Sequence, residues 1–168
     1  MKRIGLLSDT HSYLHPRIQY HFKNCDEIWH AGDIGKIELA DQLSEFKPLR
    51  AVYGNIDDQQ VRKVYPKHLR FEEEGVDVWI THIGGYPNRY DRRILAEINQ
   101  HPPDLFICGH SHILKAIYDK KLNLLHLNPG AAGKMGFHQK MTLMRFEIAG
   151  GKIENLEVIE LGKRTARA

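Results

Sequence analysis

Cysteine is scarce in this chain. Cys25 and Cys108 are the only two among 168 residues, and nothing in their placement supports a disulfide framework. Cys108 closes an apolar run and reads as a small buried hydrophobe. Long hydrophobic stretches are lacking too. The N-terminal "MKRIGLLSDTH" holds only a few apolar residues before Asp9, which argues against a signal peptide and against a membrane span. A reducing, cytoplasmic setting is the expectation. Charge of one sign is also lacking. The formal net charge is +3 with histidine neutral, too mild to argue for a nucleic acid or a membrane as partner. Basic residues gather only at Arg62-Lys63, Lys67 and Arg70 and at Lys163, Arg164 and Arg167, read as a solvated face and a frayed end. Repeats, low-complexity tracts and linkers do not occur.

What is present is an ordinary folded composition, 42% hydrophobic and 27% charged, in a length that suits one domain over 1–168 with a loosely ordered tail from about 162. The one excess is histidine, with eleven copies. Short apolar runs alternate with amphipathic segments. The pattern predicts strands over 3–7, 27–32 and 49–55, with helices over 16–24 and 37–46 between them. Asp57 or Asp58 could cap a short helix over 59–64. Residues 69–82 read as two strands turning near Glu74-Gly75, 92–100 as a helix, and "LFIC" at 105–108 as a buried strand. Two hairpins follow, turning at Lys120-Lys121 and at Gly150-Gly151. A βαβαβ start with hairpins near the end predicts an α/β domain with mixed sheets.

The informative feature is what ends each strand. The runs lead into Ser8-Asp9-Thr10-His11, Gly32-Asp33, Gly54-Asn55, His82 and Gly109-His110-Ser111-His112. Carboxyl ends of parallel strands are where ligands bind in open α/β sheets, so these loops should converge. In an extended segment, residues i and i+2 point the same way, which lets Asp9 and His11 share a centre, and likewise His110 and His112. Asp9, His11, Asp33, Asn55, His82, His110 and His112 make two carboxylates, one amide oxygen and four imidazoles. That mixture suits manganese, iron or zinc better than calcium or magnesium. Seven side chains are too many for one ion; with one bridging carboxylate they supply four bonds to each of two.

Taken singly, the Gly-Asp and Gly-Asn pairs are common turn dipeptides, and a lone histidine at a strand end is most often structural. The conjunction of five such strand ends, in this order, argues for a site. His30, just before the Ala-Gly-Asp turn, is placed as a support rather than a ligand. His138, in the Gly-rich "GAAGKMGFHQK", lies either at the rim or in solvent. His15, His21, His68 and His101 read as surface groups, and His126 belongs to a hairpin strand.

The motifs D-x-H, G-D, G-N, H and G-H-x-H in this order resemble the calcineurin-like metallophosphoesterase superfamily. "GLLSDTH", "WHAGD", "VYGNID", "ICGHSH" and "LNPGAAG" look most like its small single-domain branch. That branch holds bacterial YfcE-type phosphodiesterases, archaeal relatives and the catalytically quiet retromer subunit of the Vps family. The resemblance implies a four-layer α/β/β/α sandwich of two mixed sheets. It implies that Asp9, His11 and His112 hold one metal, that Asn55, His82 and His110 hold the other, and that Asp33 bridges. Two departures stand out. Ile56 occupies the position where many superfamily phosphatases carry a histidine that assists the leaving group. His82-Ile83-Gly84-Gly85 keeps the first histidine of an often-seen His-Gly-His and lacks the second.

The expected function is a dinuclear metal-dependent phosphoesterase, a phosphodiesterase first, in which a bridging hydroxide attacks phosphorus in line with the leaving alkoxide. Asp33 and Asn55 are its candidate catalytic residues. The expected cofactors are two divalent ions, manganese first, with iron, zinc or nickel as the other candidates. The expected partner is a small phosphoester, with no nucleic acid and no membrane, and homo-oligomerisation is left open. The alternative is a non-catalytic protein-binding scaffold like the retromer subunit. Arg89, Tyr90, Arg92 and Lys134 are candidate substrate contacts, with a solvated loop the commoner role for such residues.

Overall fold

In the computed structural model, which describes residues 1–165, the first half runs β1 (Lys2–Leu7), α1 (Ile18–Phe22), β2 (Glu27–His30), α2 (Ile37–Phe46), β3 (Leu49–Ala51), α3 (Gln59–Val64), β4 (His68–Glu73) and β5 (Val76–Thr81). A two-residue pair follows, β6 (Gly85–Tyr86) and β7 (Arg89–Tyr90), then α4 (Leu95–Gln100) and β8 (Leu105–Ile107). Two hairpins complete it: β9 (Lys115–Asp119) with β10 (Leu124–Asn128), and β11 (Lys140–Ala149) with β12 (Lys152–Lys163).

Two five-stranded mixed sheets result, in the orders β12-β11-β1-β2-β3 and β4-β5-β8-β10-β9. β1, β2 and β3 are parallel, as are β5, β8 and β10, and the hairpin strands close the edges antiparallel. Alternation along the strands explains the layering. Ile4 and Leu6 on β1, Val76, Val78 and Ile80 on β5, and Leu105 and Ile107 on β8 point inward and pack between the sheets with Trp29 and Phe146. Leu7 and Ile28 point outward, under Ile18 and Phe22 of α1 and Leu39 and Leu43 of α2. Trp79, Phe106 and Leu124 point outward from the second sheet, under Ile94 and Ile98 at α4. The order of layers is therefore helix, sheet, sheet, helix. Gly5 is a glycine for a local reason: a Cβ there would stand 2.7 Å from the Phe22 ring, which lies flat on the strand.

Several expectations are trimmed. α1 covers five residues of the nine predicted, and β3 ends at Ala51, since the chain turns away to deliver Gly54 and Asn55. α2 and α3 match their predicted spans, and Asp58 is the cap of α3, accepting from the backbone N–H groups of Gln60 and Val61. β6 and β7 lie in what the sequence presented as a loop. Of the tail expected over 162–168, Gly162 and Lys163 belong to β12, while 166–168 lie outside the described residues. Both cysteines are free and buried. Among the described residues, no helix is long and apolar enough to cross a membrane.

Candidate metal centre

The loops after β1 and β2 are zipped together by their backbones. The N–H groups of Asp9, His11 and Ser12 donate to the carbonyls of Gly32, Asp33 and Ile34 at 3.0, 3.0 and 2.9 Å. His30 locks the zipper. The Gly32 N–H donates to its Nδ1 at 3.1 Å, so Nε2 carries the proton and faces the Thr10 hydroxyl at 3.0 Å, which in turn donates to the Ile34 carbonyl. Burial pushes the His30 imidazole down to about 4, so it stays neutral. This is the supporting role expected of it. Asp57 gathers the loop after β3, accepting from the N–H groups of Ile34, Gly35 and Gly54 at 3.1, 2.8 and 2.8 Å. Asn128 holds the turn after β8 through the Gly109 carbonyl and the Ser111 hydroxyl.

Six of the seven sequence candidates fall into two groups of three, Asp9 with His11 and His112, and Asp33 with His82 and His110; in each, one ligand atom per residue lies within 4.8 Å of the others. Asp33 Oδ2 is 3.4 Å from His11 Nε2 and 3.1 Å from His82 Nε2, so a single oxygen faces a member of each group. Its other oxygen accepts from the Ile56 N–H at 3.1 Å. The seventh candidate, Asn55, stands with Oδ1 3.1 Å from His110 Nδ1.

The protons in this cluster can be traced. His82 Nδ1 is 2.8 Å from the Ala31 carbonyl, which can only accept, so Nδ1 carries a proton and, in the neutral ring, Nε2 presents its lone pair to the cluster. His138 Nε2 likewise donates to the Gly133 carbonyl at 2.7 Å. Burial holds the His138 imidazole below its ordinary value, so its Nδ1 is an acceptor, and the His112 Nδ1–H, 3.2 Å away, must donate to it. His112 Nε2 then carries a lone pair 3.0 Å from Asp9 Oδ1. Asp9 Oδ1, His11 Nε2 and His82 Nε2 are buried with no hydrogen-bond partner among the described residues. Lone pairs aimed at carboxylate oxygens repel unless positive charge lies between them. The residues present therefore fit divalent cations, and the donor set is one that binds them.

The field at the cluster has the same sense. Burial alone would raise the Asp9 carboxyl, but when protons, rather than cations, supply the positive charge between them, hydrogen bonds donated by the His11 and His112 rings hold it far below the usual carboxylate range. His82 is pulled down by burial and raised on balance by Asp33 and Asp9. His11 is raised mainly by Asp9. Ser8 completes the anchoring, its hydroxyl donating to Asp9 Oδ2 at 2.6 Å.

Backbone conformation corrects one step of the sequence reasoning. Asp9, His11, Asp33, His110 and His112 all have positive φ, between 44° and 68°. The two x-separated pairs are thus tight left-handed turns, not extended segments. Asp9 and His11 still meet, but His110 and His112 diverge, one into each group. Each such residue costs on the order of 1–2 kcal/mol, and strain of this kind gathers at functional sites. Glycine makes room beside them: a Cβ on Gly32, whose φ is +102°, would stand 2.6 Å from His82 Nδ1.

Other candidates fare differently. The Tyr90 hydroxyl is committed to Asp119 at 2.6 Å, and Arg89 and Tyr90 line a separate cavity with Leu122 and Asn99. Arg92 is exposed, and its neighbour Arg93 lines the cavities that adjoin Asn55. Lys134 lies over the Tyr13 ring at 4.5 Å. His138 is the residue that sequence reasoning left undecided. Its only sequence signal is a histidine in a Gly-rich loop, and its partner, His112, is 26 residues away.

The description "Calcineurin-like phosphoesterase superfamily domain" matches residues 1–151. A probable metallophosphoesterase of Methanocaldococcus jannaschii is 31% identical over 76% of this chain and 67% of its own length. Among solved structures, a novel archaeal phosphodiesterase superposes with a TM-score of 0.72 at 20% identity, covering 95% of this chain and 99% of that one. Vps29 of Entamoeba histolytica, complexed with Zn²⁺, gives 0.70 at 19% identity, covering 94% and 98%.

Proposed function

The chain belongs to the calcineurin-like phosphoesterase superfamily, and from that premise we propose that it is a metal-dependent phosphoesterase whose substrates are small phosphodiesters. The observation that carries this reading is the set of buried polar atoms Asp9 Oδ1, His11 Nε2 and His82 Nε2, in which each nitrogen lies within 4 Å of the Asp9 oxygen and none has a hydrogen-bond partner among the described residues. Asp9, His11 and His112 would hold one cation and Asn55, His82 and His110 the second, with Asp33 facing both; manganese suits this donor set. When bound, such a pair supplies positive charge beside the transferring phosphoryl group and acidifies a water molecule.

The chain's own residues do the rest. Asp33 is fixed by the Ile56 N–H, so the oxygen it shows to both groups cannot swing away. Asn55 keeps its side-chain oxygen toward His110, which leaves its Nδ2–H groups to donate to a phosphoryl oxygen. Ile56, next in the chain and 47% exposed, offers no proton to a departing alkoxide. Leaving groups must therefore be acidic enough to depart unaided or take a proton from solvent, which favours aryl over alkyl esters.

The test is hydrolysis of an aryl phosphodiester and an aryl phosphomonoester by metal-stripped and Mn²⁺-reloaded protein, with bound metal counted in the same samples. Diester turnover that chelation abolishes and Mn²⁺ restores is expected. Inertness toward both esters with two ions bound would overturn the enzymatic reading and favour a protein-binding scaffold.

A further inference from the structure

The basic residues read in the sequence as one solvated face are divided by the fold. Arg70 is neutralised, with Asp77 at 2.7 Å and Glu97 at 3.8 Å. Arg62 and Lys67 instead line a cavity of about 190 Å³, together with Arg93, Asn55 and His82. The cavity thus opens onto two residues of the candidate metal centre. Among the described residues no carboxylate lines it. Arg62 is held by uncharged partners: its Nε donates to the Asp57 carbonyl at 2.7 Å, its Nη2 to the Asn55 carbonyl at 3.3 Å, and its guanidinium lies 4.7 Å from the Tyr53 ring. Lys67 has no ion pair among the described residues, and Arg93 has one long one there, to Asp91 at 3.9 Å. A second cavity of about 470 Å³, on the His110 side, shares Asn55, Ile83 and Arg93 with the first, and its lining does include a carboxylate, Asp91.

We propose that the smaller cavity is the subsite for a second phosphate group of the substrate, so that this chain acts on phosphoesters carrying a further phosphate next to the scissile one. The inference rests on the phosphoesterase reading of the adjoining centre. Three cationic side chains lining one cavity with no carboxylate in that lining create a local field that favours an anion, and low-dielectric walls concentrate it. The volume falls below that of pockets that enclose a whole ligand, so it suits one compact group. The guanidinium of Arg62, pre-positioned by two carbonyls and an aromatic face, loses little freedom on pairing with phosphate. The larger cavity would take the organic remainder, with Arg93 between the two parts.

Inorganic pyrophosphate titrated calorimetrically into the metal-free protein at low ionic strength tests the site without catalysis. Saturable binding is expected, weakened at least tenfold in a Lys67→Ala/Arg93→Ala double variant and unaffected by Lys63→Ala, which removes an exposed charge outside the cavity lining. No saturable binding by the wild type, or equal binding by the double variant, would overturn the subsite. In Mn²⁺-loaded protein, the ratio of kcat/KM for an aryl phosphodiester with a phosphate-terminated arm to that for its methyl counterpart should exceed ten, and collapse toward one in the double variant. A wild-type ratio near one overturns the substrate class. Inertness toward both esters, with pyrophosphate still bound by the cavity, overturns the catalytic reading alone.

Discussion

His112 and His138 meet through their Nδ1 atoms, 3.2 Å apart, and the Gly133 carbonyl behind His138 decides which of the two carries the proton between them. The consequence is a His112 Nε2 that keeps its lone pair and stays aimed at Asp9. His138→Phe retains a ring of similar size and deletes the acceptor. On the proposed assignment it should weaken binding of an ion at Asp9, His11 and His112 by about 10- to 100-fold, the usual effect of losing such a support, and leave the other site within a few-fold. Metal titration of the variant, monitored site by site with Co²⁺ absorption, checks this. Equal weakening of both sites would mean that the ring merely packs the loop.

Asp33 is the residue whose one oxygen faces both groups, and its loss should be felt by both. Asp33→Asn keeps the shape and the contact with the Ile56 N–H but removes the charge between His11 and His82. Both ions should be lost on gel filtration, and turnover with them. His112→Ala, by contrast, should release one ion and retain the other. Elemental analysis of the two purified variants separates these outcomes, and an Asp33→Asn protein that holds two ions tightly would end the bridging assignment.

Much of this was readable in the chain, for physical reasons. Leu105, Phe106 and Ile107 are buried on both faces of a strand that the fold places between two parallel neighbours, so their continuous apolar run marked a buried strand. The strand ends carried the polar residues because that is where a parallel sheet presents its loops. The division of His110 and His112 between two groups came with the family resemblance and not from the spacing, because left-handed backbone at residues other than glycine leaves no compositional mark. His138 was left undecided and Arg93 missed for a different reason. Their meaning lies in partners brought near by the fold, a ring 26 residues away in one case and a cavity wall shared with Lys67 and Arg62 in the other.

Gly54 fits against Asp33 so closely that a Cβ would overlap both its backbone nitrogen and its carboxylate. Gly54→Ala should therefore displace the carboxylate or the loop that carries Asn55. A metal-affinity loss of at least tenfold is expected, with thermal stability lowered by about 1–3 kcal/mol from the overpacking. Calorimetric melting of the metal-free variant measures the second effect apart from the first. A variant with wild-type metal affinity would show that the loop yields freely.

His126, on the outer face of β10, is fully buried against the Phe106 ring and belongs to no part of the candidate centre. Burial pushes its imidazole down to about 4 from an ordinary 6.5. The unfolded chain thus binds a proton at this position more readily than the folded one. Above pH 6.5 both states are neutral there and the residue adds no pH dependence. As the pH falls from 6.5 toward 4, the unfolded state gains the proton first and stability drops, by about 3 kcal/mol once the pH is below 4. His126→Leu removes this titration and two ring nitrogens that have no hydrogen-bond partner among the described residues. Its melting temperature should match or exceed that of the wild type at pH 8 and exceed it by a wider margin at pH 5. A margin that does not widen on acidification would show that the imidazole reaches solvent in the folded protein.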